Sequence, residues 1–358
     1  MVSMLDCIRR VPSILDRILE KREDTFAPLW KTIGDDVTRL DEIVLIGSGT
    51  SNTSAITAKF LTEKASGLRV SALTPTEFLY HLSARNSKAL YVFISQTGTS
   101  IMTRKALAFV KENGWLSTAI SEKSDTTIAK EADVFIDMGC GYEEYPMRSI
   151  GYSATVLTVI LLGMEIGRKR EALPCAVYED YLQQASSAAG NIHSVIDRTM
   201  DWLTYHRRNM LRADCLVFTG TGALYGVALE GAVKAWETPQ IISIGYELEE
   251  GLHGPNYGYN ARHCVIVLDD GSIENDKAVA LCKYMKYEHH NGFLVGKGAV
   301  DDQDLALEPQ GGGFACLEFA AVVQVIAYRL AEEQGRDLFA PHDNNAMMQY
   351  FRSHEDVE

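Results

Sequence analysis

YVFISQTGTSIMT, running from Tyr91 to Thr103, changes character twice within thirteen residues. Tyr91 to Ile94 is an unbroken apolar run that stops at Ser95, as a buried strand would. Ser95-Gln96-Thr97-Gly98-Thr99-Ser100 then sets five hydroxyl or amide side chains around one glycine. Met102, Ala106, Leu107 and Val110 follow at helical spacing. A turn of small residues between a strand and a helix start can hold an anion. The first helical N–H groups lack partners there, and the helix dipole favours negative charge. No Lys or Arg lies in the turn, so the expected ligand is a small phosphate met by neutral donors. The same run also reads as a helix cap, since Ser and Thr cap helices for the same reason.

Outward from this stretch the pattern repeats. Ile43 to Ile46 reads as a strand, Gly47-Ser48-Gly49-Thr50-Ser51 as a turn and Asn52 to Glu63 as a helix. Further strands are expected at Val70–Leu73, Ser117–Ile120 and Val134–Ile136, with a short helix at Thr76–Leu82 and a long apolar one at Ile150–Ile166. At the start, Leu5, Ile8, Val11, Leu15, Ile18 and Leu19 form one helical stripe, which Pro12 is expected to divide into two helices. Strands alternating with helices give an α/β protein with a parallel sheet covered on both faces.

From Arg168 to Arg212 the chain is helical and charged, and then the pattern restarts. Cys215–Phe218 is a strand, Gly220-Thr221-Gly222 a turn and Val227–Trp236 a helix. Strands at Ile241–Ile244, Val265–Leu268 and Phe293–Val295 and a helix at Leu317–Glu333 complete it. Two similar halves suggest an internal duplication. The implied organisation is leading helices over 1–34, a first domain over 35–167, a helical linker over 168–210, a second domain over 211–336 and a polar tail over 337–358.

Composition narrows the function. A net charge of −14 argues against nucleic acid or an anionic membrane as partner. Seven scattered cysteines with no CxxC pair suggest reduced thiols and a cytoplasmic location. The N-terminus lacks the apolar block of a signal peptide, and the apolar run around Val156–Leu162 reads as too short to span a bilayer. Neither glycine turn completes G-x-G-x-x-G, which speaks against a dinucleotide cofactor; none is expected. No metal is expected either, because His289-His290 are adjacent and His253 and His263 lack ligand partners at suitable spacing. No G-x-S-x-G points to a serine triad.

Two adjacent turns at the carboxyl ends of parallel strands define a crevice where open α/β sheets bind ligands, and Gly49-Thr50-Ser51 and Ser95–Ser100 would face it. The second half supplies titratable groups. ALEGAVKAWETPQ carries Glu230, Lys234 and Glu237, and YELEEGLHGPNYG carries Glu247, Glu249, Glu250 and His253. Glu230 and Lys234, four apart, read as a surface ion pair. Glu237 ends its helix just before Thr238-Pro239, where a side chain can reach into a pocket. His253 lies on a loop, where an isolated histidine is more often structural than catalytic. A carboxylate and an imidazole together can move protons between neighbouring carbons near neutral pH.

These residues are familiar as a set. From about Met4 to Ala340 the chain resembles the sugar isomerase (SIS) family, and in layout the isomerase part of glucosamine-6-phosphate synthase. GSGTS and SQTGTS look like its phosphate turns. ALEGAVKAWE followed by EEGLHGP looks like its catalytic signature, with Glu237 and His253 at the family's spacing of sixteen positions. The resemblance implies two SIS domains, each a doubly wound, flavodoxin-like parallel sheet with helices on both faces. It also implies a homodimer or dimer of dimers with active sites at the subunit boundary. Carried over, Gly49, Thr50, Ser51, Ser95, Gln96, Thr97 and Ser100 would hold the sugar phosphate. Glu237 would be the base at C1 and C2 of the open-chain sugar, its pKa raised by burial, and His253 would open the ring or act as acid.

Two departures refine this. Met1 leads directly into the family's first helix, with no glutamine-hydrolysing domain, so glutamine is not the expected nitrogen source. The synthase's Schiff-base lysine near the C-terminus has no counterpart in Pro341-His342-Asp343-Asn344-Asn345-Ala346, and the last lysine of the chain is Lys297. Both features are similar to deglycases of the family, which split phosphorylated sugar–amine (Amadori) adducts and need no enzyme lysine. The expectation is therefore a deglycase. The alternatives are an aldose–ketose isomerase or deaminase of an aminosugar 6-phosphate, a phosphosugar sensor without turnover, or a structural SIS partner.

Overall fold

The computed structural model describes residues 2–336 and 349–355. The tail segment matched above to the synthase's lysine, Pro341–Ala346, lies outside the described residues. The chain forms two compact units, one built from residues 14–180 with residues 349–355, the other from the first thirteen residues with 181–336.

In order, the first part of the chain supplies α1 (Met4–Ile33), β1 (Glu42–Gly47), α2 (Thr50–Ser66), β2 (Arg69–Leu73), β3 (Ala89–Ile94), α3 (Ile101–Glu112), β4 (Ser117–Ser121), α4 (Thr127–Glu131), β5 (Val134–Asp137) and α5 (Ile150–Lys169). All pairings are parallel, in the order β2-β1-β3-β4-β5. Every residue of β1 and β3 is buried, which is why both read as unbroken apolar runs. One face of this sheet packs an aromatic cluster, with Phe78 and Trp115 at 5.4 and 5.5 Å from Tyr91.

The second part supplies α6 (Cys175–Arg212), β6 (Cys215–Gly220), α7 (Ala223–Glu237), β7 (Ser243–Glu247), α8 (Leu248–Gly251), β8 (His263–Asp269), α9 (Asn275–His289), β9 (Gly292–Gly296), β10 (Leu305–Ala306) and α10 (Ala315–Glu333). Its sheet is again parallel, in the order β10-β9-β8-β6-β7. Replacing β6 by β1, β7 by β2, β8 by β3 and so on gives the order of the first sheet. The expected α/β class and the doubly wound topology are both found, and the topology is carried twice.

Several local expectations need correction. Pro12 does not divide the first helix, since α1 runs through it from Met4 to Ile33. Ile8, Val11 and Leu15 are all buried, so the apolar stripe holds the helix while Pro12 forgoes one backbone bond. The short helix near Thr76 is a π-helical turn, in which Leu82 N–H reaches back to Glu77 and Phe78 is fully buried. The strand expected at Ile241–Ile244 begins only at Ser243. Gln240 takes a left-handed φ of 56° and Ile241 N–H turns back to the Ala235 carbonyl, so both belong to the turn. The helix α9 was not foreseen. The run around Val156 belongs to a helix of 20 residues, α5, that is long and apolar enough to cross a bilayer, but its most apolar window is entirely buried inside the protein.

Candidate functional site

β1 and β3 are neighbours, and the connections from them run to opposite sides of the sheet, so the turns that leave them stand side by side at its carboxyl edge. Gly49, at φ 57° and ψ −131°, starts α2 in a conformation that favours glycine, and its carbonyl accepts from the N–H groups of Asn52 and Thr53. Gly98 is required twice over: its φ is +70°, and a Cβ there would lie 2.4 Å from Thr126. This packing draws Ser95–Ser100 tightly around the end of β3.

Within this turn Ser95 and Ser100 are nearly covered, at 6% and 9% exposure, while Gln96 and Thr97 are half-buried. Thr97 and Thr99 share a hydroxyl–hydroxyl bond of 2.9 Å, and Ser100 Oγ accepts from Thr103 Oγ1 at 3.0 Å. Ser100 occupies the N-cap position of α3, yet its side chain makes no capping bond. The hydroxyls of the turn are thus not consumed in capping α3. The Gln96 carboxamide is wedged against Gly151 at the start of α5, where a Cβ would come within 1.9 Å of its Oε1. That helix start takes no anion of its own, because the buried Glu143 carboxylate accepts from Ser149, Ile150 and Gly151 N–H at 2.6, 2.9 and 3.2 Å. Thr50 and Ser51 are half-buried in the first turn of α2.

Sequence reading gave no sign of one contact. Residues 353–355 lie along the start of α3: Ser353 carbonyl accepts from Ile101 N–H, and Glu355 pairs with Arg104 at 2.7 Å. No local pattern signals it, since the two stretches are about 250 residues apart.

Glu237 and His253 belong to the other unit. The expected burial of Glu237 is not found, its side chain being 38% exposed, and the expected surface pair of Glu230 and Lys234 is fully buried. Helical spacing explains both. Glu230 and Lys234 share the inward face of α7 with Val227 and Gly231, whereas Glu237 is the last residue of the helix. Lys234 Nζ lies 2.7 Å from Glu237 Oε2 and 3.2 Å from Glu230 Oε1. Burial opposes the charge on Lys234, but the carboxylates of Glu230 and Glu237 outweigh it and hold the ammonium above the ordinary lysine range. Glu237 is therefore a carboxylate with one oxygen anchored on a buried cation. Lys234 was missed as a site residue. The available signal was a charged pair inside a helix, ALYGVALEGAVKAWE, that is otherwise almost entirely apolar.

His253 is 68% exposed after α8, its Nε2 3.1 Å from Glu249 Oε1. Glu249 also pairs with Lys277 at 2.7 Å, and Lys277 with Glu274. Glu237 and His253 thus have separate partners within their unit. Glu274, with Thr221, Glu247 and Asp270, lines a cavity of about 280 Å³ at the carboxyl edge of the second sheet. Among the described residues no three His, Cys, Asp or Glu side chains gather around a possible metal position.

The segment carrying the two hydroxyl-rich turns also matches a known family: residues 38–164 align with the SIS domain. This segment is a SIS domain. Beyond it, a glutamine–fructose-6-phosphate aminotransferase (isomerizing) from Caulobacter vibrioides is 25% identical over 353 residues, 93% of this chain and 56% of that protein. The chain thus spans about half the length of the curated relatives it matches. Among solved structures, a candidate phosphosugar isomerase from Clostridium difficile 630 superposes with a TM-score of 0.89 at 21% identity, covering 100% of both chains. The C-terminal domain of glucosamine–fructose-6-phosphate aminotransferase from Francisella tularensis gives 0.86 at 21% identity, covering 94% of this chain and 97% of that one. Both share its fold, with the SIS domain in the same architecture.

Proposed function

We propose that the protein is a phosphosugar-processing enzyme that deglycates a 6-phosphorylated sugar–amine adduct. The observation that carries this is the neutral, hydroxyl-rich turn Ser95–Ser100 beside Gly49-Thr50-Ser51 at the point where the strand order of the SIS domain reverses. Ser51, Ser95, Gln96, Thr97 and Ser100 hold the phosphate, and Glu237 and His253 carry the proton transfers. In the ketoamine substrate, Glu237 takes a proton from C1 and returns it to C2. His253 gives a proton to O2 and recovers one from the substrate N–H, so that the carbonyl at C2 becomes an alcohol and the C1–N bond an imine. Water adds to C1, and the carbinolamine collapses to free amine and aldose phosphate. The imine nitrogen comes from the substrate, so no enzyme lysine is needed. Lys234 anchors one oxygen of Glu237 and leaves the other for the proton. The active assembly in this reading is a homodimer or a dimer of dimers.

The same 1,2-proton shift without loss of amine gives an aldose–ketose isomerase, and the resemblance to aminotransferases that handle fructose 6-phosphate favours keeping that reading second. The test is a panel of 6-phosphorylated Amadori compounds and aminosugar 6-phosphates, followed for amine release and for aldose–ketose exchange. Stoichiometric amine release from an Amadori compound is expected. Exchange without amine release selects the isomerase, and saturable binding with neither reaction selects a sensor.

A further inference from the structure

A cavity of about 240 Å³ lies at the carboxyl edge of the first sheet. Its walls carry Arg17 and Lys21 from α1, Glu122 just past β4 and Asp137 at the end of β5. Two cations and two carboxylates share this space, yet among the described residues none of the four is in an ion pair. Arg17 Nη2 donates to the Gly139 carbonyl at 2.8 Å, and Asp137 Oδ1 accepts from Gly139 N–H at 2.8 Å. Lys21 makes no hydrogen bond among the described residues. The loop between these groups is fixed by close packing, since a Cβ on Gly139 would lie 2.4 Å from Ile18 of α1. Opposite charges are thus held apart and presented to one space.

What the cavity accepts follows from these charges. A simple anion meets Glu122 and Asp137, a simple cation meets Arg17 and Lys21, and an apolar molecule strips water from all four. A small molecule of both signs suits both pairs, its carboxylate toward Arg17 and Lys21 and its ammonium toward Glu122 and Asp137. The volume suits one amino acid and lies below the roughly 300 Å³ at which pockets for larger ligands begin. One wall residue also touches the hydroxyl-rich turn. Glu122 N–H donates to the Gln96 carbonyl at 3.0 Å, and its carboxylate lies 3.5 Å from Gln96 Nε2. An ammonium beside Glu122 offsets a carboxylate that stands against the turn, and so favours an anion there.

We infer that this cavity binds a free α-amino acid, and that filling it strengthens phosphosugar binding at Ser95–Ser100. The site stands on its own residues. Only the coupling rests on the phosphate reading of the turn, and the experiment separates the two. Saturation-transfer NMR titrations of the full chain compare L-alanine with propionate and isopropylamine, each of which lacks one of its charges. L-alanine should bind saturably, and the two analogues at least about tenfold more weakly, each having lost a charge-assisted contact. Lys21→Met and Asp137→Asn, one from each wall, should each weaken L-alanine by about tenfold. The site is overturned if L-alanine does not bind, if either analogue binds as well, or if either variant leaves its affinity unchanged. Calorimetric titration with fructose 6-phosphate, with and without saturating L-alanine, reads the coupling. Its Kd should fall about two- to fivefold when the amino acid is present, the effect of one offset charge screened by solvent. An unchanged Kd overturns the coupling and leaves the amino-acid site standing. Absence of fructose 6-phosphate binding under both conditions instead fails the phosphate reading, and the coupling with it.

Discussion

The two sheets offer the same crevice with opposite chemistry. Gly49 after β1 and Gly222 after β6 have nearly identical backbones, φ 57° and ψ −131° against φ 54° and ψ −122°. The next central strand differs. β3 ends in Ser95-Gln96-Thr97-Gly98-Thr99-Ser100, without a charge, while β8 ends in Asp269-Asp270-Gly271-Ser272-Ile273-Glu274. Asp270, Glu274 and Glu247 line the second crevice. Repeating the fold repeats the turn geometry, because a parallel strand feeding a helix through a glycine has few solutions. It does not repeat the chemistry, because three carboxylates repel an anion where uncharged hydroxyls do not. The repeated topology thus has a neutral crevice in one unit and an acidic one, with the candidate acid–base groups, in the other.

The largest expected effect would break this division of labour. Glu237→Gln keeps shape and hydrogen bonding but cannot accept the proton, and should lower kcat by about 10²–10⁴ with phosphosugar binding little changed. Steady-state kinetics on the substrate found by the panel checks it, and a near wild-type kcat would move the base elsewhere. Glu230→Gln is not a silent control, because it takes a partner from the buried Lys234.

Next in size is Lys234→Met, which leaves Glu230 buried without its cation and should cost about 3–5 kcal/mol of stability, as broken buried pairs do. Because the folded lysine titrates above its ordinary value, this contribution is complete below the ordinary lysine range. It is lost only as pH rises through the folded value. Urea unfolding of the variant and the parent at neutral pH gives the difference, and a loss below about 1 kcal/mol would mean that the pair is dispensable.

The smallest effects sharpen the contrast between crevices. Ser95→Ala should weaken phosphosugar binding by about tenfold, the worth of one charge-assisted hydrogen bond. Its counterpart across the duplication, Asp270→Asn, should leave the same Kd unchanged. If Asp270→Asn alone alters binding, the phosphate belongs to the second crevice and the charge argument is wrong.

Strand and turn identity were legible because parallel strands buried on both faces must be apolar along their whole length. Ile43–Ile46 and Tyr91–Ile94 show this, and the glycines mark where such runs end. The absence of charge in SQTGTS was equally plain, since a turn's charge is a property of its residues. The apolar residues of α9 are spread around the helix and form no clean stripe in the sequence, and the local cost of Pro12 is outweighed by the buried side chains on either side of it. Burial of individual polar groups was the main thing the sequence could not supply. Glu230 and Lys234 have the spacing of a surface pair, and only the packing of α7 put them inside and left Glu237 at the rim. The segment 353–355 lies about 250 positions from the helix it touches. The sequence by itself determined the alternation of elements, the duplicated topology and the charge of each turn, all set by neighbours within a few residues. Tertiary structure decided which ionisable groups are buried, which cation anchors the candidate base, and what lies on the start of α3. Those are contacts between residues whose separation along the chain carries no periodic signal.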